Sequence, residues 1–104
     1  MRTLLEREPL YLPDLLFMKP PRIVWAEAWS CRTLVIKFTN NEFRKYDISK
    51  LLENPLFAKL HNPVVFKNFR IEEGGYGLVW DEDVDISEYE LWQNGKSFTP
   101  VDSR

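Results

Sequence analysis

An α+β domain is what this sequence predicts: an antiparallel β-meander of about five strands with short helices on one side, preceded by an extended N-terminal arm. Three observations lead there. Alternating apolar segments on either side of Asn40-Asn41 read as a hairpin. The pair Gly74-Gly75 separates two further short strand-like runs. Between these hairpins, Ser49, Asn54-Pro55 and Asn62-Pro63 are start signals for short helices, with Asn as cap and Pro at the first helical position.

Residues 1–21 contain Pro9, Pro13, Pro20 and Pro21, which forbid a long helix and bias their predecessors to extended backbone. This is the arm. Its Leu10, Tyr11, Leu12, Leu15, Leu16 and Phe17 need burial, either on the arm's own domain or exchanged onto a second chain in a homodimer. From Arg22 the pattern turns to strand, with Ile23, Trp25 and Trp29 in one phase and Val24, Ala26 and Ala28 in the other. Both phases are largely apolar, so this strand is covered twice or carries an interface. After a turn at Ser30-Cys31-Arg32, Leu34, Ile36 and Phe38 share one face of the second strand, and residues 42–46 form the third. Residues 67–71 and 76–80 supply the fourth and fifth. A last short helix over residues 87–94 is stopped by Gly95, and a loose tail is expected from residue 96. The domain therefore spans residues 22–95.

With 104 residues the chain is the size of one domain, and its fifteen aromatics (4 Trp, 4 Tyr, 7 Phe) suffice for a core without metal or disulfide. A formal net charge of −2 removes the broad basic footprint that most nucleic-acid binders present. The single cysteine, Cys31, has no internal disulfide partner, which fits a reducing, cytoplasmic setting. Glu6, Arg7, Glu8 and Asp14 interrupt the apolar residues of the arm, so neither a signal peptide nor a membrane span is expected.

Chemistry would sit first at Asp81-Glu82-Asp83-Val84-Asp85, where Leu78-Val79-Trp80 empties into four carboxylates. Asp81, Asp83 and Asp85 match the opening of a calcium loop, but the sixth position is Ile86 instead of Gly and the twelfth is Trp92 instead of Glu. Asp85 with Glu88, or Ser87 with Glu90, fits a helix capping box instead, so turn and cap chemistry is the expectation. His61 is the sole histidine and has no cluster of ligands to join. Cys31 lies beside Arg32, which lowers thiol pKa values when it faces them, yet no general base accompanies it. Neither a cofactor, a metal nor a catalytic residue is expected. Arg22, Lys37, Arg44, Lys45, Lys67 and Arg70 make a basic face interleaved with Trp25, Phe43 and Phe69 only where the fold gathers them. Of the four tryptophans, Trp80 and Trp92 have ready places in the core, whereas Trp25 and Trp29 are the candidates for exposure at an interface.

The ordered pieces Pro21-Arg22-Ile23, Thr33-Leu34-Val35-Ile36-Lys37-Phe38, Arg44-Lys45-Tyr46-Asp47-Ile48 and Phe57-Ala58-Lys59-Leu60 with Phe66 resemble the bacterial domain-of-unknown-function family 2442. Leu78-Val79-Trp80, Val84-Asp85-Ile86 and Glu90-Leu91-Trp92 continue the resemblance, across roughly residues 20 to 95. It implies a small α+β meander, found alone, attached to a helix-turn-helix segment or encoded beside a small toxin-like protein, with no established catalytic residues. Too little chain follows Gly95 for a helix-turn-helix, which weighs against direct DNA reading. The sequence departs from the family pattern at Asn41, where Gly is common, and at Asp81-Glu82-Asp83, where a Pro-Asn-Gly type turn is common.

The functional expectation is a non-enzymatic protein-interaction module, in its sharper form the regulatory or antitoxin-like member of a bacterial two-protein system. Its partner would be a small basic toxin-like protein, and its surface Trp25, Trp29, Asp81, Glu82, Asp83 and Asp85. Nucleic-acid binding by a basic sheet face, and a metal-dependent hydrolase using Asp81, Asp83, Asp85 and His61, are the alternatives.

Overall fold

A computed structural model describes residues 21–100; the arm expected over residues 1–21 falls almost wholly outside that range. Seven strands form two antiparallel sheets. The larger has the order β1-β2-β3-β7, built from β1 (Ile23–Ala28), β2 (Thr33–Phe38), β3 (Phe43–Asp47) and β7 (Lys96–Phe98). The smaller has the order β4-β5-β6, from β4 (Arg70–Ile71), β5 (Gly77–Asp81) and β6 (Val84–Ser87). The fold is α+β, as expected, with two strands more than the meander predicted.

Local chemistry explains the main joints. Asn41 closes the β2–β3 turn with φ 70°, the left-handed conformation that Asn tolerates better than other side chains. Asn54 and Asn62 each accept a hydrogen bond from the backbone N–H two residues on, and so start the 3-10 segment Pro55–His61 and the short helix α1 (Pro63–Phe66). Ser87 caps α2 (Glu88–Asn94) by accepting from Glu90 N at 3.1 Å. Gly95 does end α2, but for want of space: its φ is −76°, and a Cβ there would lie 2.5 Å from the Leu91 carbonyl oxygen. Gly75 is needed twice over, for a φ of 79° and because a Cβ would run into the Ile23 backbone. Ile23 N also donates to Gly75 O at 2.9 Å, which pins the start of β1 to the turn that precedes β5.

Leu34, Ile36 and Phe38 project from the inner face of β2 and are fully buried. They meet Leu60, Phe66, Leu78, Val84, Ile86 and Leu91 in one core, so both sheets and both helices close on the same apolar center. Burial of one such side chain is worth about 1.5–3 kcal/mol.

Two expectations fail. Lys96–Phe98, expected to begin a loose tail, instead pair with β3, placing Phe98 opposite Phe43. Residues 84–86, assigned to the acidic turn, instead form β6 together with Ser87, which keeps its expected role as the cap of α2: Val84 and Ile86 alternate inward while Asp85 and Ser87 face water. Their period of two is strand-like, but the acidic residues had masked it.

Candidate functional site: the outer face of the larger sheet

Register decides which side chains share the outer face. Trp25 pairs with Lys37, Lys37 with Phe43, and Phe43 with Phe98, which lays one row across all four strands. The next row runs Glu27, Val35, Lys45, Lys96. Successive strand residues alternate faces, so these rows point away from the core side occupied by Leu34, Ile36 and Phe38.

The rings in these rows touch. Trp25 and Phe43 meet edge to face with centroids 6.3 Å apart, Phe43 and Phe98 at 6.4 Å, and Trp29 and Phe98 at 5.2 Å. Lys37 Nζ lies 5.8 Å from the Phe43 ring, and Lys45 Nζ lies 4.8 Å from Phe98 and 6.0 Å from Trp29. Beneath this layer Val35 is wholly buried although it belongs to the outer face and not to the main core cluster. The upper surfaces stay in water: Trp25 is 39% exposed and Trp29 51%. Glu27 accepts a hydrogen bond from Trp29 Nε1 at 3.3 Å, which fixes the indole across the face.

The other two tryptophans have structural places. Trp80 stacks on Phe66 and donates its Nε1–H to Phe66 O at 2.7 Å. Trp92 packs on Phe38 and lies 3.7 Å beneath the Arg44 guanidinium, whose Nε donates to Trp92 O. Arg44 is thus turned to the inner face. Lys67 caps α1, where it lines a small hollow with Trp29, and Arg70 belongs to β4, so of Lys37, Arg44, Lys45, Lys67 and Arg70 only Lys37 and Lys45 lie in the strand rows of the outer face. Lys96, in a strand the sequence reading missed, joins them. Phe98 was missed for the same reason; a three-residue strand leaves too short a pattern to detect.

The acidic run lies on the smaller sheet, away from the rows that hold Trp25 and Trp29. Asp81 Oδ1 accepts from Asp83 N at 2.9 Å and Val84 N at 3.1 Å, closing a tight turn through Glu82 and Asp83. Its other oxygen pairs with Lys59 Nζ. The Lys59 bond foremost, then the Asp83 N–H, holds the Asp81 carboxyl below the usual carboxylate range. Glu82 and Asp83 are exposed at the tip. Asp85 lines a separate shallow hollow of about 340 Å³ with Leu51, Phe57 and Glu90. Among the described residues no three His, Cys, Asp or Glu side chains converge in a way that could hold a metal ion. His61 ends the 3-10 segment and Cys31 sits exposed in the β1–β2 turn, where the Arg32 guanidinium is directed to Ser49 Oγ.

A larger hollow of about 640 Å³ is lined by Tyr46, Asp47, Ser49, Leu51, Glu90 and other side chains. The Tyr46 hydroxyl donates to Glu90 Oε2 at 2.7 Å, and burial first, then Glu90, pushes the phenol well above its ordinary range. It is a proton-holding donor there, the opposite of an activated nucleophile. Asp47 is held low by hydrogen bonds from Ser49. Among the described residues no helix is long and apolar enough to cross a membrane.

The family model described as protein of unknown function (DUF2442) matches residues 26–97, and the chain belongs to that family. No curated protein and no solved structure matches the chain.

Proposed function

We propose, with that family as the premise, that the chain is a non-enzymatic protein-interaction module, the regulatory or antitoxin-like member of a two-protein system. The outer sheet face is its docking surface. One observation carries this reading: four aromatic rings and three lysines form a continuous layer on the face opposite the core, with half of Trp29 left in water. Aromatics gathered this way are the usual anchors of protein interfaces. Covering the exposed parts of both indoles would remove on the order of 100 Å² from water for each, roughly 2–3 kcal/mol apiece. The acidic turn lies elsewhere, so a basic partner would meet Glu82 and Asp83 as a second contact, separate from the tryptophans. The test is recovery of a stoichiometric partner by the tagged protein from its own cells, alongside a W25A/W29A variant. Loss of the partner with the variant supports the reading; equal recovery refutes it.

The interleaving of Lys37, Lys45 and Lys96 with aromatic rings favors one alternative, single-stranded nucleic acid stacked on the same face. Such binding would weaken steeply with salt. A gel shift negative at low salt removes it.

A further inference from the structure

We infer that the outer face of the larger sheet takes an extended acidic segment of the partner, with a carboxylate seated between Lys45 and Lys96 and an apolar side chain two residues away on the ring row beside them. This rests on the docking reading above and adds the chemistry of the occupant.

The register gathers like charges. Lys45 on β3 stands directly opposite Lys96 on β7, and Lys37 on β2 is its diagonal neighbor, since Lys37 pairs with Phe43. Opposed residues of an antiparallel pair hold their Cβ atoms ~5 Å apart and diagonal ones ~7 Å. Like charges so placed work against the pairing of the strands, and an anion between them offsets the repulsion. The rings hold the stems without neutralizing them: Lys45 Nζ lies 4.8 Å from the Phe98 ring and Lys37 Nζ 5.8 Å from that of Phe43. Among the described residues the ion pairs are Arg44–Glu42 and Lys59–Asp81, so none of the three lysines belongs to one. The carboxylates of the face are engaged at its margins. Glu27 accepts from Trp29 Nε1 on β1, with Val35 between it and Lys45. Asp47 accepts from Ser49 N at 2.8 Å and has Arg32 as well as Lys96 near it.

The spacing sets the shape of the occupant. Phe43 and Lys45 are two residues apart on β3, as Lys96 and Phe98 are on β7. A strand advances ~3.4 Å per residue, so the lysine pair and the ring pair lie ~7 Å apart. An extended segment with a carboxylate at one position and an apolar side chain two residues on has the same interval. Beside the ring pair is a hollow of about 450 Å³ lined by Phe43, Ser97, Phe98 and Pro100 among others, which has room for the apolar side chain. The carboxylate that borders this hollow, Glu42, is paired with Arg44. A protein segment suits the face better than a nucleic-acid strand, because Arg44, which would continue a basic track along β3, is turned inward onto Trp92, and Glu27 and Asp47 flank the lysines.

The test uses the full chain with nitrogen-15 in its tryptophans and two short synthetic peptides, identical except that one carries glutamate and the other lysine two residues before a phenylalanine. The glutamate peptide should shift the Trp29 indole resonance, assigned by its loss in W29F, while that of Trp80, bonded to Phe66 O, stays in place. Lys45→Gln combined with Lys96→Gln should weaken that peptide roughly tenfold and bring it level with the lysine peptide. Equal binding of both peptides by the wild type, or no shift with either, overturns the inference. A short oligothymidylate that binds more tightly than the glutamate peptide also overturns it, by assigning the lysines to nucleic acid. In the protein's own cells the partner should be lost with W25A/W29A and with the lysine double variant alike. Loss with W25A/W29A but full recovery with the lysine variant leaves the docking face standing and overturns its acidic occupant.

Discussion

The two faces of the larger sheet are made from similar side chains. On the inner face Phe38 meets Trp92 edge to face at 5.1 Å, and on the outer face Trp29 meets Phe98 in the same manner at 5.2 Å. Phe38 is nevertheless wholly buried and Trp29 half exposed. The difference lies in what stands above each pair. Helix α2 brings Leu91 and Trp92 down on the inner face, whereas among the described residues the outer face is topped by its own rings and lysine stems. Aromatic content therefore does not separate a core face from an exposed one; the cover does.

The largest expected effect tests the inner face. Phe38→Ala should cost about 3–5 kcal/mol of stability, as for other buried Phe truncations, measured by urea unfolding. A cost near that of a surface change would mean the inner face is not the core. Gly95→Ala follows, since a Cβ would lie 2.5 Å from the Leu91 carbonyl, distorting the last turn of α2, and 3.0 Å from Arg44 Cβ on β3; roughly 1–3 kcal/mol is expected in the same assay. Tyr46→Phe removes the hydrogen bond to the Glu90 carboxylate and should cost about 1–3 kcal/mol. Trp29→Ala should change stability by less than Phe38→Ala, about 1 kcal/mol, yet weaken partner binding ~10- to 100-fold. That split between stability and binding is what distinguishes the outer face.

Much of this contrast was legible in the sequence. The alternation of Leu34, Ile36 and Phe38 gave the inner face, and apolar residues in both phases of β1 marked Trp25 and Trp29 as candidates for an interface. What was hidden depends on partners distant in sequence. Lys96 and Phe98 lie in a three-residue strand that exists only because β3 offers it an edge. Arg44 reads like Lys45, but one residue of offset turns it inward onto Trp92. Gly95 reads in the sequence as the residue that stops the last helix, and the reason, the close approach of the Leu91 carbonyl and Arg44 Cβ, depends on the packing of α2 on β3.

The smallest expected effect concerns the acidic turn. The carboxyl of Asp81 is held below its ordinary value, so its contribution is full above about pH 4 and is lost as pH falls through the lowered value. Asp81→Asn keeps an acceptor for the turn but loses the charge facing Lys59. Thermal unfolding of this variant should fall below wild type at neutral pH and approach it near pH 3; a gap independent of pH would show that the pair with Lys59 contributes nothing.

Site-specific photo-crosslinking in the protein's own cells tests the docking face most directly. A benzophenone side chain replaces Trp29 in one variant and, as controls, Val64 or Tyr89, which are 69% and 57% exposed outside the larger sheet. The account predicts one discrete protein adduct from position 29 and none from 64 or 89. No adduct at position 29, or the same adduct from all three positions, would contradict it.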